Sequence, residues 1–207
     1  NQKSFSTNGK SQKPSGLTAR VYMDKDADLK YLKGKRVIVV GYGSQGHGQA
    51  LNLRDSNINV SIAVRKGGRG WNLALKHGWK EGTNLSSDIG AEVKKADWVH
   101  ILLPDETQAE VFHADIQPNL KKGAVIAFSH GFNIRFSQIV PPKENDVVLV
   151  APKGPGHLVR RTYEEGRGTP ALIAVEQDAS GKAFQTALAF AKAIGATRAG
   201  VIRTTFK

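Results

Sequence analysis

Short apolar runs alternate with segments of helical periodicity along most of this chain. Apolar runs rich in β-branched residues and bounded by polar turns are typical of buried parallel strands. They predict strands at Arg36–Val40, Asn59–Val64, Trp98–Leu102, Ala124–Phe128, Val147–Ala151 and Ala171–Val175. The segments between them predict helices at Ser44–Arg54, Gly70–His77, Asp88–Lys95, Thr107–Ile116 and Ser180–Ile194. Repeated strand–helix units predict an α/β fold with a doubly wound, mostly parallel sheet and helices on both faces.

The first 20 residues do not show this periodicity. They are rich in Ser, Gln, Lys and Gly, and residues 1–23 carry only basic charges, at Lys3, Lys10, Lys13 and Arg20. We therefore expect a disordered basic arm over residues 1–20 and a single domain over residues 21–207. An acid-free arm without an initiator Met is typical of a processed transit peptide, which would place the protein in a mitochondrial or plastid matrix. A linker or a tag remnant would instead leave it in the cytoplasm.

Composition narrows the class of protein. A chain of 207 residues with 40% hydrophobic content can bury one sizeable core, and it contains no apolar run long enough to predict a membrane span. Because there is no cysteine, disulfides, thiolate metal sites and a cysteine nucleophile are excluded. The net charge of +12 lies mainly in the arm and in the last quarter of the chain. Such an excess suits an anionic cofactor or a polyanionic surface such as RNA, and it also serves solubility alone.

A glycine-rich loop carries the strongest chemical signal. Gly41-Tyr42-Gly43-Ser44-Gln45-Gly46 stands directly after the apolar run that ends at Val40, and it opens a predicted helix. In this context G-x-G-x-x-G is the dinucleotide fingerprint of a Rossmann-type domain. Gly41 would allow the tight turn, Gly43 would let the backbone approach a pyrophosphate, and Gly46 would let helix and strand pack closely. The free N–H groups at the helix start, from Ser44 and Gln45 onward, would then face the phosphates.

The end of the second strand indicates which dinucleotide binds. An NAD-type site places an acid there to accept from the ribose 2′-hydroxyl. Here the strand continues into Arg65, Lys66 and Arg69, with glycines between them and no acid. A 2′-phosphate favours that arrangement, because Arg binds it bidentately and Lys adds a point charge. The loop therefore predicts NADP(H), and a solvated basic turn is the alternative.

Two polar side chains follow predicted strands at the edge where the cofactor would lie. His130 comes after Ala124–Phe128, and Lys153 comes after Val147–Ala151. A His beside a nicotinamide can move a proton, and a Lys can polarise a carbonyl or bind a carboxylate. A turn donor and an ion-pair partner are the alternative roles. Gly154-Pro155-Gly156-His157 is interpreted as a rigid loop, and neither the histidines nor the carboxylates are spaced as metal ligands.

Several of these segments together resemble ketol-acid reductoisomerase. They are Gly41–His47, Asn52-Leu53-Arg54-Asp55-Ser56, Leu102-Leu103-Pro104-Asp105-Glu106, His130-Gly131-Phe132-Asn133-Ile134 and Ala151–His157, in order over about residues 21–207. The resemblance implies an enzyme of branched-chain amino-acid synthesis that converts acetohydroxy acids to dihydroxy acids. Its reaction is a Mg²⁺-assisted alkyl migration followed by hydride transfer from NADPH. It also implies that His130 and Lys153 are active-site residues and that Ser44 lies in the cofactor loop.

The departures from the family limit what the resemblance implies. The family continues into a helical domain that binds two Mg²⁺ ions, so we expect Mg²⁺ only where that domain is supplied and no isomeroreduction by this chain alone. A separate C-terminal domain or a larger assembly, such as a mitochondrial ribonucleoprotein that uses this relative as a structural subunit, would then be its partner. Gly68 and Gly70 stand where many members have serines in the 2′-phosphate loop, and Arg203 stands where the family usually has Glu.

Overall fold

A computed structural model describes residues 19–206, and within them nine strands form one sheet. The predicted arm lies almost entirely outside the described residues. The strands are β1 (Val21–Tyr22), β2 (Arg36–Val40), β3 (Asn59–Ala63), β4 (Leu85–Ser86), β5 (Trp98–Ile101), β6 (Val125–Phe128), β7 (Asp146–Pro152), β8 (Ala171–Gln177) and β9 (Val201–Arg203). Their order is β1-β9-β8-β7-β6-β5-β2-β3-β4. Neighbours are parallel except for the antiparallel pairs β7–β8 and β1–β9.

Helices connect these strands and cover the sheet. They are α1 (Ser44–Asp55), α2 (Arg69–Lys76), α3 (Ile89–Val93), α4 (Asp105–Val111), α5 (Phe132–Arg135), α6 (Gly156–Glu164) and α7 (Ala183–Ala193). Single 3₁₀ turns occur at Asp24–Asp26, Leu29–Tyr31, Gln117–Asn119 and Ala196–Arg198. After α4 the chain continues through a wider π-type turn at Phe112–Ile116.

The core has two layers because each central strand buries both of its faces. Val37 and Val39 of β2 face one cluster with the apolar sides of α1 and α7, whereas Ile38 and Val40 face the other with Val93 and Phe112. This alternation is what a period of two residues produces in a strand that is covered on both sides. The layered arrangement with a mostly parallel sheet confirms the predicted doubly wound α/β fold.

The predicted strands are all present, with ends that differ by at most two residues. The helix prediction was less accurate: the segment after Asp88 is helical only over Ile89–Val93, and α5 and the short strands β1, β4 and β9 were missed. One interpretation was wrong. Gly156 and His157 do not belong to a rigid loop but form the first turn of α6, with Pro155 as the residue before it. A proline at a helix start is compatible with the helix, since the N–H that it lacks has no partner there.

Candidate cofactor and active site

The carboxyl ends of five parallel strands form one continuous edge. In the order of the sheet, β7, β6, β5, β2 and β3 end next to Lys153, His130, Leu102, Gly41 and Arg65. The chain winds in opposite directions from the boundary between β2 and β5, so this is the topological switch point, where ligands bind to open sheets. With strands about 4.8 Å apart, the row from Lys153 to Arg65 spans roughly 19 Å. The residues predicted from the sequence therefore lie along one edge, in the order in which an extended dinucleotide would contact them.

The glycine loop between β2 and α1 has the geometry of a phosphate cradle. Gly41 has a φ of +99°, and a Cβ there would lie 2.8 Å from the carbonyl oxygen of Leu102. A Cβ on Gly46 would lie 2.3 Å from the carbonyl oxygen of Gly41. Gly43, in contrast, would meet no atom within 4 Å, so its surface faces open space. The first N–H groups of α1 have no partner within the helix and point to that space. The cradle therefore fits a pyrophosphate.

The side chains of Ser44 and Gln45 connect α1 to the loop that follows β7. Ser44 Oγ accepts a hydrogen bond from Gly156 N at 3.0 Å, and Gln45 Nε2 donates to the carbonyl oxygen of Gly154 at 2.8 Å. These bonds hold the start of α6 and the segment after Lys153 against the cradle. Cofactor contacts of Ser44 and Gln45 stay a prediction, and their backbone N–H groups are the atoms suited to them.

A buried polar network joins the cradle to the strand end that carries His130. Gln49 Nε2 donates to Gln45 Oε1 at 3.1 Å and to Ser129 Oγ at 3.1 Å, and Ser129 Oγ donates to the carbonyl oxygen of Val150 at 2.7 Å. His100 completes it with Nε2 at 3.2 Å from Ser129 Oγ. Burial lowers the pKa of His100 to about 3, so the ring is neutral. Trp98 Nε1 donates to its Nδ1, which leaves the proton on Nε2.

Sequence reasoning missed Asp105, which accompanies His130. Asp105 is the first residue of α4, and its Oδ2 lies 2.5 Å from Nδ1 of His130. A carboxylate in that position fixes the ring and keeps a proton on Nδ1, which leaves Nε2 as the nitrogen directed away from the protein partner. The signal was available, since Asp105 follows a strand end in the same way as His130 does. Lys153 is exposed and lies on the neighbouring strand end.

The three cations predicted to hold a 2′-phosphate lie at the end of β3. Arg65, Lys66 and Arg69 are all exposed, the last of them at the start of α2. Lys66 Nζ forms an ion pair with Glu81 Oε1 at 2.5 Å. Within residues 19–206 no ion pair is recorded for Arg65 or Arg69. Glu81 is thus an acid near the 2′-phosphate site that the sequence pattern did not reveal, because it lies 15 positions beyond Lys66.

Among residues 19–206 no group of three or more His, Asp or Glu side chains is arranged to hold a metal ion. No helix in the same range has the length and apolar character needed to cross a bilayer.

Comparison with known proteins gives a family match over most of the chain. The family model described as the NADPH-binding domain of acetohydroxy acid isomeroreductase matches residues 31–200. Among solved structures, an NADH-preferring ketol-acid reductoisomerase from an uncultured archean shares 44% identity, with a TM-score of 0.84. The match covers 90% of this chain but 56% of that protein, so this chain spans little more than half the length of that relative.

More distant structures share the fold alone. A putative oxidoreductase from Jannaschia sp. CCS1 has 14% identity and a TM-score of 0.65, and the match covers 84% of this chain and 64% of that one. A semialdehyde dehydrogenase NAD-binding protein from Cupriavidus necator, solved with calcium and NAD, has 22% identity and a TM-score of 0.66, over 83% and 63% of the two chains.

Proposed function

Because this chain belongs to the acetohydroxy acid isomeroreductase family, whose NADPH-binding domain it matches, we propose that it is the reductant-binding half of a ketol-acid reductoisomerase. Its cofactor is NADP(H). The observation that carries the proposal is the single edge on which the basic loop, the phosphate cradle, His130 and Lys153 follow one another in order. The reaction would be the conversion of an acetohydroxy acid to a dihydroxy acid in branched-chain amino-acid synthesis.

We further propose that this chain prefers NADPH to NADH. Arg65 and Arg69 are exposed cations without a recorded ion pair in the described residues, and they can bind a 2′-phosphate bidentately. No acid stands between β3 and α2 to accept from a ribose 2′-hydroxyl. Lys66 would contribute only to the extent that it leaves Glu81. The archean relative prefers NADH. If the two proteins differ in cofactor preference, we expect the residues of this loop to account for the difference.

His130 and Lys153 would act on the substrate. The bound reduced nicotinamide supplies the hydride. His130, held through Nδ1 by Asp105, is suited to hold or move a proton at Nε2. The Lys153 ammonium is suited to bind a carboxylate or to polarise a carbonyl oxygen. Both residues are exposed at the strand ends, where they remain accessible to a substrate.

The alkyl migration needs a Lewis acid, and the described residues contain no cluster that would hold one. We propose that the carboxylates for Mg²⁺ come from a second, helical half and that this chain alone does not isomerise or reduce the substrate. The alternative, a structural subunit that contacts RNA, is supported only by the net charge of +12. No observation in residues 19–206 favours it over the cofactor domain.

The test is a titration of the full 207-residue chain with NADPH and with NADH, followed by tryptophan fluorescence. We expect saturable quenching by NADPH in the micromolar range and weaker binding of NADH. Arg65→Gln should weaken NADPH binding by about tenfold and leave NADH binding unchanged, because a charge-assisted contact to the 2′-phosphate is lost. Arg203→Gln, which removes an equal charge on β9, is the matched control.

Two outcomes would contradict the proposal. One is a chain that binds neither dinucleotide. The other is turnover of 2-acetolactate by this chain alone with Mg²⁺ and NADPH, since that would require a metal site that is not formed by residues 19–206.

A further inference from the structure

A second cluster of basic side chains lines a groove on the helical layer, and this groove adjoins the glycine cradle at His47, which is bonded to Gly43. The groove lies between α1, the end of α2 and α6, and has a volume of about 370 Å³. Three imidazoles and three guanidiniums line it, from His47, His77, His157, Arg54, Arg160 and Arg161. Glu164 is the single carboxylate in this lining. We refer to these residues as the α1–α6 groove. The proposed reaction does not use these side chains.

Two of the imidazoles are fixed by hydrogen bonds. His47 Nδ1 lies 3.0 Å from the carbonyl oxygen of Gly43, so this nitrogen is the donor. His77 Nδ1 lies 3.0 Å from Tyr42 Oη, which accepts from Trp79 Nε1 at 2.7 Å. Burial raises the pKa of Tyr42 to about 12, so its hydroxyl keeps a proton to donate to His77. Nε2 is the remaining nitrogen in both rings. In His77 it carries the proton, because Nδ1 accepts from Tyr42, whereas in His47 it is an acceptor in the neutral ring and a donor in the protonated ring. The ring centroids are 5.8 Å apart.

The arginines differ in how many donors they have left. Arg160 is occupied by Asp55 at 2.7 Å, Glu164 at 2.9 Å and Asn52 at 3.1 Å. The lining carboxylate is thus already paired. Arg54 stacks on Trp79 and donates with Nη1 to the carbonyl oxygen of His77 at 2.8 Å. Arg161 has only a distant pairing, 3.9 Å from Glu165, and Glu165 is also bound by Arg167. Arg161 therefore keeps most of its guanidinium N–H groups for a ligand.

We propose that the α1–α6 groove binds the phosphate group of a small phosphorylated molecule, between the imidazoles of His47 and His77 and the guanidinium of Arg161. A tetrahedral dianion suits a site where donors converge from three helices, and planar guanidinium groups bind it bidentately. A cavity of this size holds a small molecule, whereas an extended polyanion would need a longer basic track. Burial, and then the charges of His47, Arg54 and Arg160, lowers the pKa of His77.

Sulfate is the probe for anion binding in the groove. It stays a dianion from pH 6 to pH 8, so any change of its affinity with pH comes from groups of the protein. The full chain is titrated at saturating NADPH, and binding is located through the imidazole NMR signals of the groove and the amide signals of Gly41, Gly43 and Gly46. We expect the largest shifts at His47 and His77 and smaller ones at the cradle, since His47 is bonded to Gly43. Binding should strengthen from pH 8 to pH 6, and the pKa of His77 should rise, because a protonated imidazole is a better partner for a dianion.

The variants Arg161→Gln and His47→Gln should each weaken sulfate binding by about three- to tenfold. Arg203→Gln is the control, since it removes the same charge on strand β9, outside the groove. NADPH titration of every variant shows separately whether the cofactor site is intact. Inorganic pyrophosphate, added next, should bind more tightly than sulfate at the same residues.

Three results would overturn the proposal. Equal sulfate binding by all three variants would mean that only net charge matters. Shifts confined to the glycine cradle would assign the anion to the cofactor site. A short single-stranded RNA that displaces sulfate, with a steep dependence on salt, would assign the basic residues to nucleic acid.

Discussion

At the scale of single residues, the ion pair between Glu81 and Lys66 would compete with the proposed contact of Lys66 to the cofactor. Their ion pair is 2.5 Å long, but the two side chains are 52% and 62% exposed. Ion pairs this exposed contribute roughly 0–1 kcal/mol, because solvent screens the charges and two long side chains lose freedom. Lys66 can therefore leave Glu81 for a 2′-phosphate at small cost. The carboxylate still opposes the approach of that phosphate, so Glu81 should reduce selectivity for NADPH.

Replacing Glu81 with Gln tests this competition. Glu81→Gln should tighten NADPH binding by about two- to fivefold, the size expected of an exposed ion pair, and should leave NADH binding unchanged. Fluorescence titration with both dinucleotides measures the two affinities. Glu110→Gln removes an exposed charge from α4 and serves as the control. An equal gain for NADH would show that Glu81 acts on the whole cofactor and not on its 2′-phosphate.

Gly43 and Gly156 both lie at helix starts, but a Cβ would clash with the protein only at Gly156. Gly43 has a φ of −85° and open space where a Cβ would be. Gly43→Ala should leave the free energy of unfolding nearly unchanged, yet weaken NADPH binding by about tenfold or more, because the methyl group occupies the space of the pyrophosphate. Urea unfolding and NADPH titration of the same preparation measure both quantities. Undiminished NADPH binding would place the pyrophosphate elsewhere.

Gly156→Ala is the comparison for that variant. Its Cβ would lie 1.5 Å from the carbonyl oxygen of Ser44, so α6 must move away from α1. This should cost about 3 kcal/mol of the free energy of unfolding. The two alanine variants therefore separate a glycine needed for the cofactor from one needed for helix packing.

At the scale of elements, Gln49 couples three segments of the site. It lies within α1, is fully buried, and connects the cradle through Gln45 to the strand end at Ser129. Gln49→Leu should lower the free energy of unfolding by about 1–3 kcal/mol, because buried polar partners lose their hydrogen bonds. It should also weaken NADPH binding, since the amide of Gln45 would lose the donor that fixes its Oε1 and so orients its bond to Gly154. Calorimetry and fluorescence titration give the two values.

Gln185→Leu is the matched control for that substitution, since Gln185 is exposed on α7. It should change neither quantity by more than about 0.5 kcal/mol. If Gln49→Leu reduced stability but left the NADPH affinity at the parent value, the network would serve the core and not the cradle.

The strands were predictable from the sequence because runs such as Val37–Val40 are apolar on both faces, and only a buried strand of a parallel sheet requires that. The start of α6 was not predictable from the sequence, because proline and glycine, which stand there at Pro155 and Gly156, are also typical of turns. Its helical pattern begins only with Leu158 and Val159 and extends over few residues. The edge strands β1 and β4 have two residues each, too short for any period to appear.

The site was predictable only in part, for a related reason. The cradle and the basic loop are local in sequence, so a strand, a turn and a helix identify them. The pairs His130–Asp105 and Lys66–Glu81 depend on which strand ends become neighbours, and the winding of the sheet decides that. The connection from Gln45 to Gly154 spans 109 positions, and no periodicity extends so far.

At the scale of the whole molecule, the neutral His100 links folding to pH. It is fully buried beside Trp98, and the ring of Phe190 stacks on both of them, with its centroid 4.7 Å from that of His100. Its pKa is lowered to about 3, whereas an unfolded chain binds the proton near pH 6.5. Between these values the unfolded state holds more protons, so the free energy of unfolding must fall as the pH falls. Above pH 6.5 this contribution is fully present.

The range from pH 6.5 to 4.5 is the one in which to measure the effect of His100 on the free energy of unfolding. The ion-paired carboxylates Glu92 and Asp97 have lowered pKa values, so the stability that they contribute is lost mainly below this range. Over these two units His100 should account for a loss of roughly 2 kcal/mol, and His77 for a smaller loss of the same sign. His100→Gln should flatten the decline, since an amide bonds to Ser129 without titrating. His113→Gln, at an exposed position, should leave the slope unchanged. Urea unfolding at pH 6.5, 5.5 and 4.5 measures the slopes, and parallel curves for the His100 variant and the parent would mean that the buried imidazole does not control acid stability.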